Sequence, residues 1–250
     1  IRDFCLSRGL GDVYKRQVES PVKDKLESLG MLLRSLGDQS TIVFLNYRDS
    51  VERTNKYLVE QGFSTSFFHG GLEQKEREAS LYRFSNGSAN ILVSTDLASR
   101  GLDIPDIDNI IHYHMPESED GYIHRVGRTA RWEAQGRAFF LLGPEEHIPD
   151  YVDAEVEDYE IPAVEELPMP AKPKMATLYI GKGKKDKISK GDILGFLCKK
   201  GGLNSSEIGK IDVNDRYAYA AIARPKLRSV LNNVKGEKIK GVKTIVEEVR

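Results

Sequence analysis

From residue 18 onward the chain alternates short apolar runs with amphipathic stretches of roughly 10 to 15 residues. Residues 23–36 carry apolar side chains at helical spacing, residues 41–45 (Thr-Ile-Val-Phe-Leu) read as a strand, and residues 50–61 are helical again and close at Gly62. A strand over 64–68 runs into His69-Gly70-Gly71, and a helix over 74–85 ends at Asn86-Gly87. Residues 91–93, 110–113 and 136–142 predict three further strands. Near-continuous apolar strands separated by helices indicate βαβ units, and so an α/β fold with a parallel sheet covered by helices on both faces.

The last third has a different rhythm. It predicts a strand at 177–180, a helix at 189–200, strands at 208–213 and 217–223, a helix at 225–233 and a strand at 242–249. The order βαββαβ is that of a small α+β, RRM-like domain, in which aromatic side chains on the central strands stack unpaired bases. Tyr179 stands on the first such strand, and Tyr217 and Tyr219 alternate on a later one, so those two share a face. An ordinary packed sheet surface would use the same residues.

Charge sharpens this division. The 250 residues have a net charge of −1, yet residues 145–167 hold ten Asp/Glu and no Lys/Arg, and residues 172–250 hold nineteen Lys/Arg against eight Asp/Glu. With the prolines of 168–173, residues 145–174 read as a solvated acidic linker, and residues 175–250 as a basic appendage suited to nucleic acid. At 40% hydrophobic content the chain can bury one or two cores. No run approaches eighteen apolar residues and no secretory leader is legible, so a soluble cytoplasmic protein without a membrane partner is expected. Cys5 and Cys198 are too few for a disulfide framework or zinc site, and no metal ligands are predicted. Residues 1–17 show neither period and look like translated adapter sequence. They are set aside as a non-native tail, so the first domain is read as 18–144.

Two segments carry the chemistry. Residues 122–131, Tyr-Ile-His-Arg-Val-Gly-Arg-Thr-Ala-Arg, place His124, Arg125, Arg128 and Arg131 on one short element. Guanidinium groups three residues apart on a helical face can fork onto phosphoryl oxygens, although a surface helix with solvated cations has the same composition. Upstream, an apolar strand ends in Ser94-Thr95-Asp96 and leads to Arg100-Gly101-Leu102-Asp103, the place where an open α/β sheet puts a ligand loop. Together these resemble the fifth and sixth motifs of superfamily 2 helicases, and the His-Arg-x-Gly-Arg-x-x-Arg form resembles the DEAD-box RNA helicases. Residues 43–48 look like their fourth motif and residues 74–77 like their Gln-x-x-Arg element. Four short motifs in order are a far stronger signal than one.

The resemblance implies a RecA-like lobe and assigns roles by position. Asp103, with Gly101, would hold the ribose of ATP; a turn cap is the structural alternative for Asp103. Arg128 and Arg131 would be arginine fingers on the γ-phosphoryl group, and His124 and Arg125 would tie this lobe to a first lobe. Gly71, Arg77, Thr95, Asp96, Arg100 and Gly101 would contact the RNA backbone. Thr95 could instead cap a strand end.

Residues 176–250 are similar to the C-terminal RNA-binding domain of DbpA-type DEAD-box helicases, through 181–187, 191–193 and 208–213. That resemblance implies a hairpin of large-subunit ribosomal RNA as the target and Tyr179, Tyr217 and Tyr219 as base contacts. Asp215-Arg216 stands where the general RNA-recognition signature has Lys-Gly, which weakens the stacking assignment more than RNA binding.

No Gly-x-x-x-x-Gly-Lys-Ser/Thr loop and no Asp-Glu-Ala-Asp segment occurs in the 250 residues. The expectation is therefore a monomer whose first RecA-like lobe, with the Mg2+ ligands for ATP, lies upstream in cis, and a chain that alone does not hydrolyse ATP. Closure of two lobes on RNA, followed by hydrolysis, would remodel duplexes during large-subunit assembly. The rival readings are a non-enzymatic RNA-binding assembly scaffold and a DNA-directed helicase.

Overall fold

The computed structural model describes residues 13–99, 104, 107–129, 135–152 and 155–250. Its contacts divide the chain into two units, one of residues up to 81 together with 90–172, the other of 82–89 together with 173–250.

The first unit is built on seven parallel strands: β1 (Val13–Glu19), β2 (Thr41–Phe44), β3 (Thr65–Phe68), β4 (Ile91–Ser94), β5 (Asn109–His112), β6 (Gly136–Leu142) and β7 (Glu157–Asp158). They lie in the order β3-β4-β2-β5-β6-β1-β7. Helices α1 (Leu26–Leu36), α2 (Arg48–Glu60), α3 (Gln74–Ser85) and α4 (Glu119–Val126) follow in chain order. Strand β6 shows why its sequence is apolar throughout. Phe139 and Leu141 join the core with Leu29, Leu32 and Leu33 of α1 and with Val43 and Ile111, while Ala138, Phe140 and Leu142 face Tyr122 and Val126 of α4 on the opposite side. A strand covered on both faces gains by burying every side chain.

Two expectations need correction. Residues 13–17, set aside in the sequence, are the first five residues of β1 and pair with β6 from Val13 opposite Gly136 onward. A parallel register needs only backbone and moderate burial, so a segment without clear periodicity can still join the sheet beside β6. The acidic stretch is not a free tether either. Its residues 157 and 158 form β7 beside β1, Tyr159 packs edge-on against Phe139 at 5.3 Å, and Arg34 donates to the carbonyls of Leu167 (2.8 Å) and Pro168 (2.7 Å). Backbone pairing and one aromatic anchor offset its charge.

The second unit is a four-stranded antiparallel sheet ordered β13-β8-β10-β9, formed by β8 (Met175–Ile180), β9 (Ile208–Val213), β10 (Ala218–Ala223) and β13 (Val246–Val249). Helices α5 (Lys190–Lys199) and α6 (Leu227–Asn233) contribute Ile193, Phe196, Leu197 and Val230 to a core with Leu178, Ile180, Ala218, Ala220 and Ile222. The βαββαβ order is as predicted, with one change. The single strand expected over 242–249 is broken, because residues 242 and 243 (β12) turn back onto Lys238–Ile239 (β11) in a small hairpin.

Candidate nucleic-acid interface

The C-terminal ends of the parallel strands bring the motif residues of the first unit together, as a doubly wound sheet does with its ligand loops. Strand β2 delivers Asn46 and Arg48, β3 delivers His69-Gly70-Gly71, β4 delivers Thr95 and Asp96, and β5 delivers His114. Helix α4 starts behind Ser118, whose Oγ accepts from the Gly121 amide at 3.1 Å, and carries Glu119 and Asp120 in its first turn and His124 and Arg125 in its last, matched to its dipole.

Arg125 is wholly buried. Its Nε and Nη2 fork onto the two carboxylate oxygens of Asp96, Nη2 at 3.1 Å. Nη2 also donates to Asn46 Oδ1 and Nη1 to the His114 carbonyl, each at 2.8 Å, and the guanidinium lies 5.2 Å from the centre of the Phe44 ring. One side chain thus joins the ends of β2, β4 and β5 to α4. A buried charge is tolerated only when its donors are satisfied in this way. The sequence assigned Arg125 to contacts with another lobe and Asp96 to RNA; the structure pairs them with each other. The Asp96 carboxylate thereby holds the loop after β4 against α4.

His114 completes this node. Its Nδ1 accepts from the Asn46 amide at 3.0 Å, which fixes that nitrogen as unprotonated. Burial first, then the Lys25 and Arg125 charges, push its pKa down to about 4. His112, fully buried behind it, is held neutral by burial and by Arg125. Lys25 is also nearly inaccessible and donates to the carbonyls of Tyr113 and Leu141 (2.9 Å) and to Glu146 at 2.5 Å, closing the ends of β5 and β6. His112, His114 and Lys25 were missed because nothing local marks them, and Asn46, although inside the fourth-motif resemblance, was given no role; strand order brings Asn46, His112 and His114 to the Arg125 guanidinium.

On the neighbouring strands, buried His69 accepts from the Gly71 amide at 3.0 Å through Nδ1 and meets Glu52 at 2.9 Å through Nε2. A Cβ at Gly70 would stand 3.2 Å from Arg48 Nη2, so Arg48 flanks this glycine turn. Thr95 is half-buried and its amide bonds to the Phe68 carbonyl at 3.2 Å. Arg77 lies in the first turn of α3, donating to Gln74 Oε1 at 3.0 Å.

The expectation that Arg125 and Arg128, three residues apart, share a helical face does not hold. Helix α4 ends at Val126 with Gly127 as its cap, and Arg128 stands beyond it, half-buried, its carbonyl accepting from the Ile107 amide at 3.1 Å. His124 is 43% exposed and meets Asp120 at 3.3 Å. Arg100, Gly101, Asp103 and Arg131 lie outside the described residues.

In the second unit, register sets Tyr179 opposite Tyr219, and the rings of Tyr179, Tyr217 and Tyr219 form one cluster with centroids 5.4 to 6.1 Å apart. They are not equivalent. Tyr219 is 3% exposed and lies under the ring of Tyr82, stacked at 5.0 Å, while Asn86 and Ser88 bond the hydroxyl of Thr177. Tyr179 and Tyr217, stacked at 5.8 Å, are half-buried and form the more exposed part of this aromatic face.

The helicase conserved C-terminal domain model matches residues 24–133, and the DbpA RNA binding domain model matches residues 177–248. In both of its units the chain is similar to the DbpA-type DEAD-box proteins. It is 35% identical to the ATP-dependent RNA helicase DbpA of Escherichia coli K12 over 237 residues, which cover 93% of this chain and 52% of that protein. It thus spans about half the length of that relative. Among solved structures it is similar to the E. coli DEAD-box protein SrmB bound to regulator of ribonuclease activity A (TM-score 0.56, 29% identity, 65% of this chain and 98% of that one). It is also similar to S. cerevisiae Dbp5 bound to RNA and ADP BeF3 (TM-score 0.52, 26% identity, 58% of this chain and 41% of that one).

Proposed function

We propose that this chain supplies the second RecA-like lobe and the RNA-targeting domain of an ATP-dependent RNA helicase that remodels duplexes in large-subunit ribosomal RNA. The observation that carries this is the Arg125 node. It locks the loop after β4, with Thr95, onto the helix that carries His124 and leads to Arg128, so groups suited to RNA and groups suited to a nucleotide belong to one rigid assembly.

Guanidinium and imidazole donors suit the phosphates of ATP, and in this reading Arg128 and Arg131 would hold the γ-phosphate and Asp103 the ribose. ATP would supply the phosphoryl group whose loss reopens the lobes. In this reading the Mg2+ ligands would stand with the phosphate cradle on a first RecA-like lobe. On the RNA side, Thr95, Arg48 beside the Gly70-Gly71 turn, and Arg77 offer a hydroxyl and guanidinium groups that would bind phosphates without reading bases. Tyr179 and Tyr217 would stack on an unpaired base, and the basic second unit would keep a cytoplasmic, monomeric motor close to its hairpin.

The test is ATP turnover by the chain fused behind a DEAD-box first lobe, with a large-subunit hairpin, an unrelated hairpin or no RNA. Stimulation preferring the ribosomal hairpin and falling about 10³-fold in Arg128→Ala supports the proposal. Equal stimulation by both hairpins sinks the targeting claim, and a folded fusion without turnover returns the chain to an RNA-binding scaffold.

A further inference from the structure

Among the described residues, the non-glycine positions with positive φ are Lys187 (60°) and Lys240 (50°). They are far apart in sequence but adjacent in space: Lys240 Nζ donates to the Lys187 carbonyl at 3.1 Å and stands 3.5 Å from Asp192. Lys187 follows a short 3-10 turn over 184–186 in the left-handed conformation, and Lys240 with Gly241 (φ 79°) forms the two-residue turn of the β11–β12 hairpin. Glycine adopts this backbone freely and asparagine does so more readily than lysine, so a lysine at both places carries a conformational cost that its side chain must justify.

The surroundings indicate the use. Residues 182–192 and 238–243 hold eight lysines and two aspartates. The aspartates are engaged: Asp186 caps the turn over 184–186 and pairs with Lys182 at 3.5 Å, and Asp192 forms a capping box with Ser189 at the start of α5. Lys184, Lys187, Lys190, Lys238 and Lys243 have no carboxylate within 4 Å among the described residues. The loop is held rigidly. Gly183 lies flat on the 214–215 backbone, where a Cβ would stand 2.2 Å from the Asn214 carbonyl oxygen, and the amides of Lys184 and Lys185 bond the carbonyls of Asn214 and Asp215 at 2.9 Å. Ile188 and Ile239 turn into the core, so the corner presents ammonium groups without the apolar anchor a protein partner would use.

We propose that this corner, centred on Lys187 and Lys240, is a second RNA contact that binds the phosphate backbone, separate from the Tyr179–Tyr217 face. It rests on the RNA-binding reading above and adds the surface and the chemistry: lysine point charges on a rigid loop and hairpin, matched to a row of phosphates rather than to bases.

The test is the affinity of the whole chain for a large-subunit ribosomal hairpin and for an unrelated hairpin over a salt series. Lys187→Gly and Lys240→Gly remove a charge and relieve the backbone, so their melting temperatures should be unchanged or higher. Each should nevertheless bind both hairpins several-fold more weakly, and the double variant should lower the slope of log affinity against log salt by about two. Lys187→Asn, which keeps the left-handed turn without the charge, should behave like Lys187→Gly, while Lys187→Arg should bind as the parent does. Unchanged affinity and slope in the double variant would overturn this inference alone. A parent chain that binds neither hairpin would overturn the RNA-binding reading on which it rests.

Discussion

Arg125 and Asp96, 29 positions apart in the chain, meet as a two-pronged ion pair in which the guanidinium is fully buried and the carboxylate is 43% exposed. The asymmetry matters because the carboxylate keeps partial hydration while the guanidinium depends wholly on protein acceptors.

Removing the carboxylate should therefore cost more than an exposed ion pair would. Asp96→Asn leaves a buried guanidinium without its counter-charge and is expected to lower the stability of the first unit by about 3–5 kcal/mol. Asn46→Ala removes one neutral acceptor and should cost about 1–2 kcal/mol. Hydrogen exchange in β4 and α4 checks both, and equal small effects would mean that water substitutes freely at the node.

His114 makes stability depend on pH. Its folded pKa of about 4 lies below the unfolded value near 6.5, so between these values the unfolded chain binds the extra proton, and stability rises with pH across that window and levels above it. The first unit should be about 2 kcal/mol less stable at pH 5 than at pH 7.5 from this group alone, with His112 adding in the same direction. Asn at position 114 can keep an acceptor for the Asn46 amide without titrating, so His114→Asn should flatten the urea midpoint between those pH values.

The three tyrosines should separate by readout. Tyr219→Ala empties a buried site beside Tyr82 and should cost about 3 kcal/mol or more in unfolding experiments. Tyr217→Ala should leave the fold nearly intact and weaken hairpin binding by about 1–3 kcal/mol. The reverse pattern would mean that the buried ring is the one RNA reaches.

Gly183→Ala tests the rigid lysine loop. Its Cβ would overlap the Asn214 carbonyl oxygen, which is backbone and cannot swing aside, so the loop must lift. Destabilisation of about 2 kcal/mol is expected, with faster amide exchange at Lys184 and Lys185. Gly195→Ala, which meets nothing within 4 Å, is the control.

Strands β2 to β6 of the first unit and the βαββαβ order of the second were legible in the residues, because the central strands β2, β4, β5 and β6 are buried along nearly their whole length, whereas β1 and β7 carry polar and charged residues that hid them. The helix over Gln74–Ser85 and the strand over Ile208–Val213 appear at the predicted bounds, and the motif glycines and arginines stood out by local spacing. Three things were decided only by the tertiary structure. Arg125 became an internal clasp because strand order, not spacing, brought Asn46, Asp96 and His114 to it. Tyr219 was separated from Tyr179 and Tyr217 because Tyr82, 137 positions away in the chain, covers it. Lys187 and Lys240 met because a broken last strand folded back as a hairpin. Hydrophobic period is a property of neighbours in sequence and survives in a one-dimensional reading. Which polar group satisfies which, and which ring lies beneath another, depends on contacts between distant segments that no local pattern encodes.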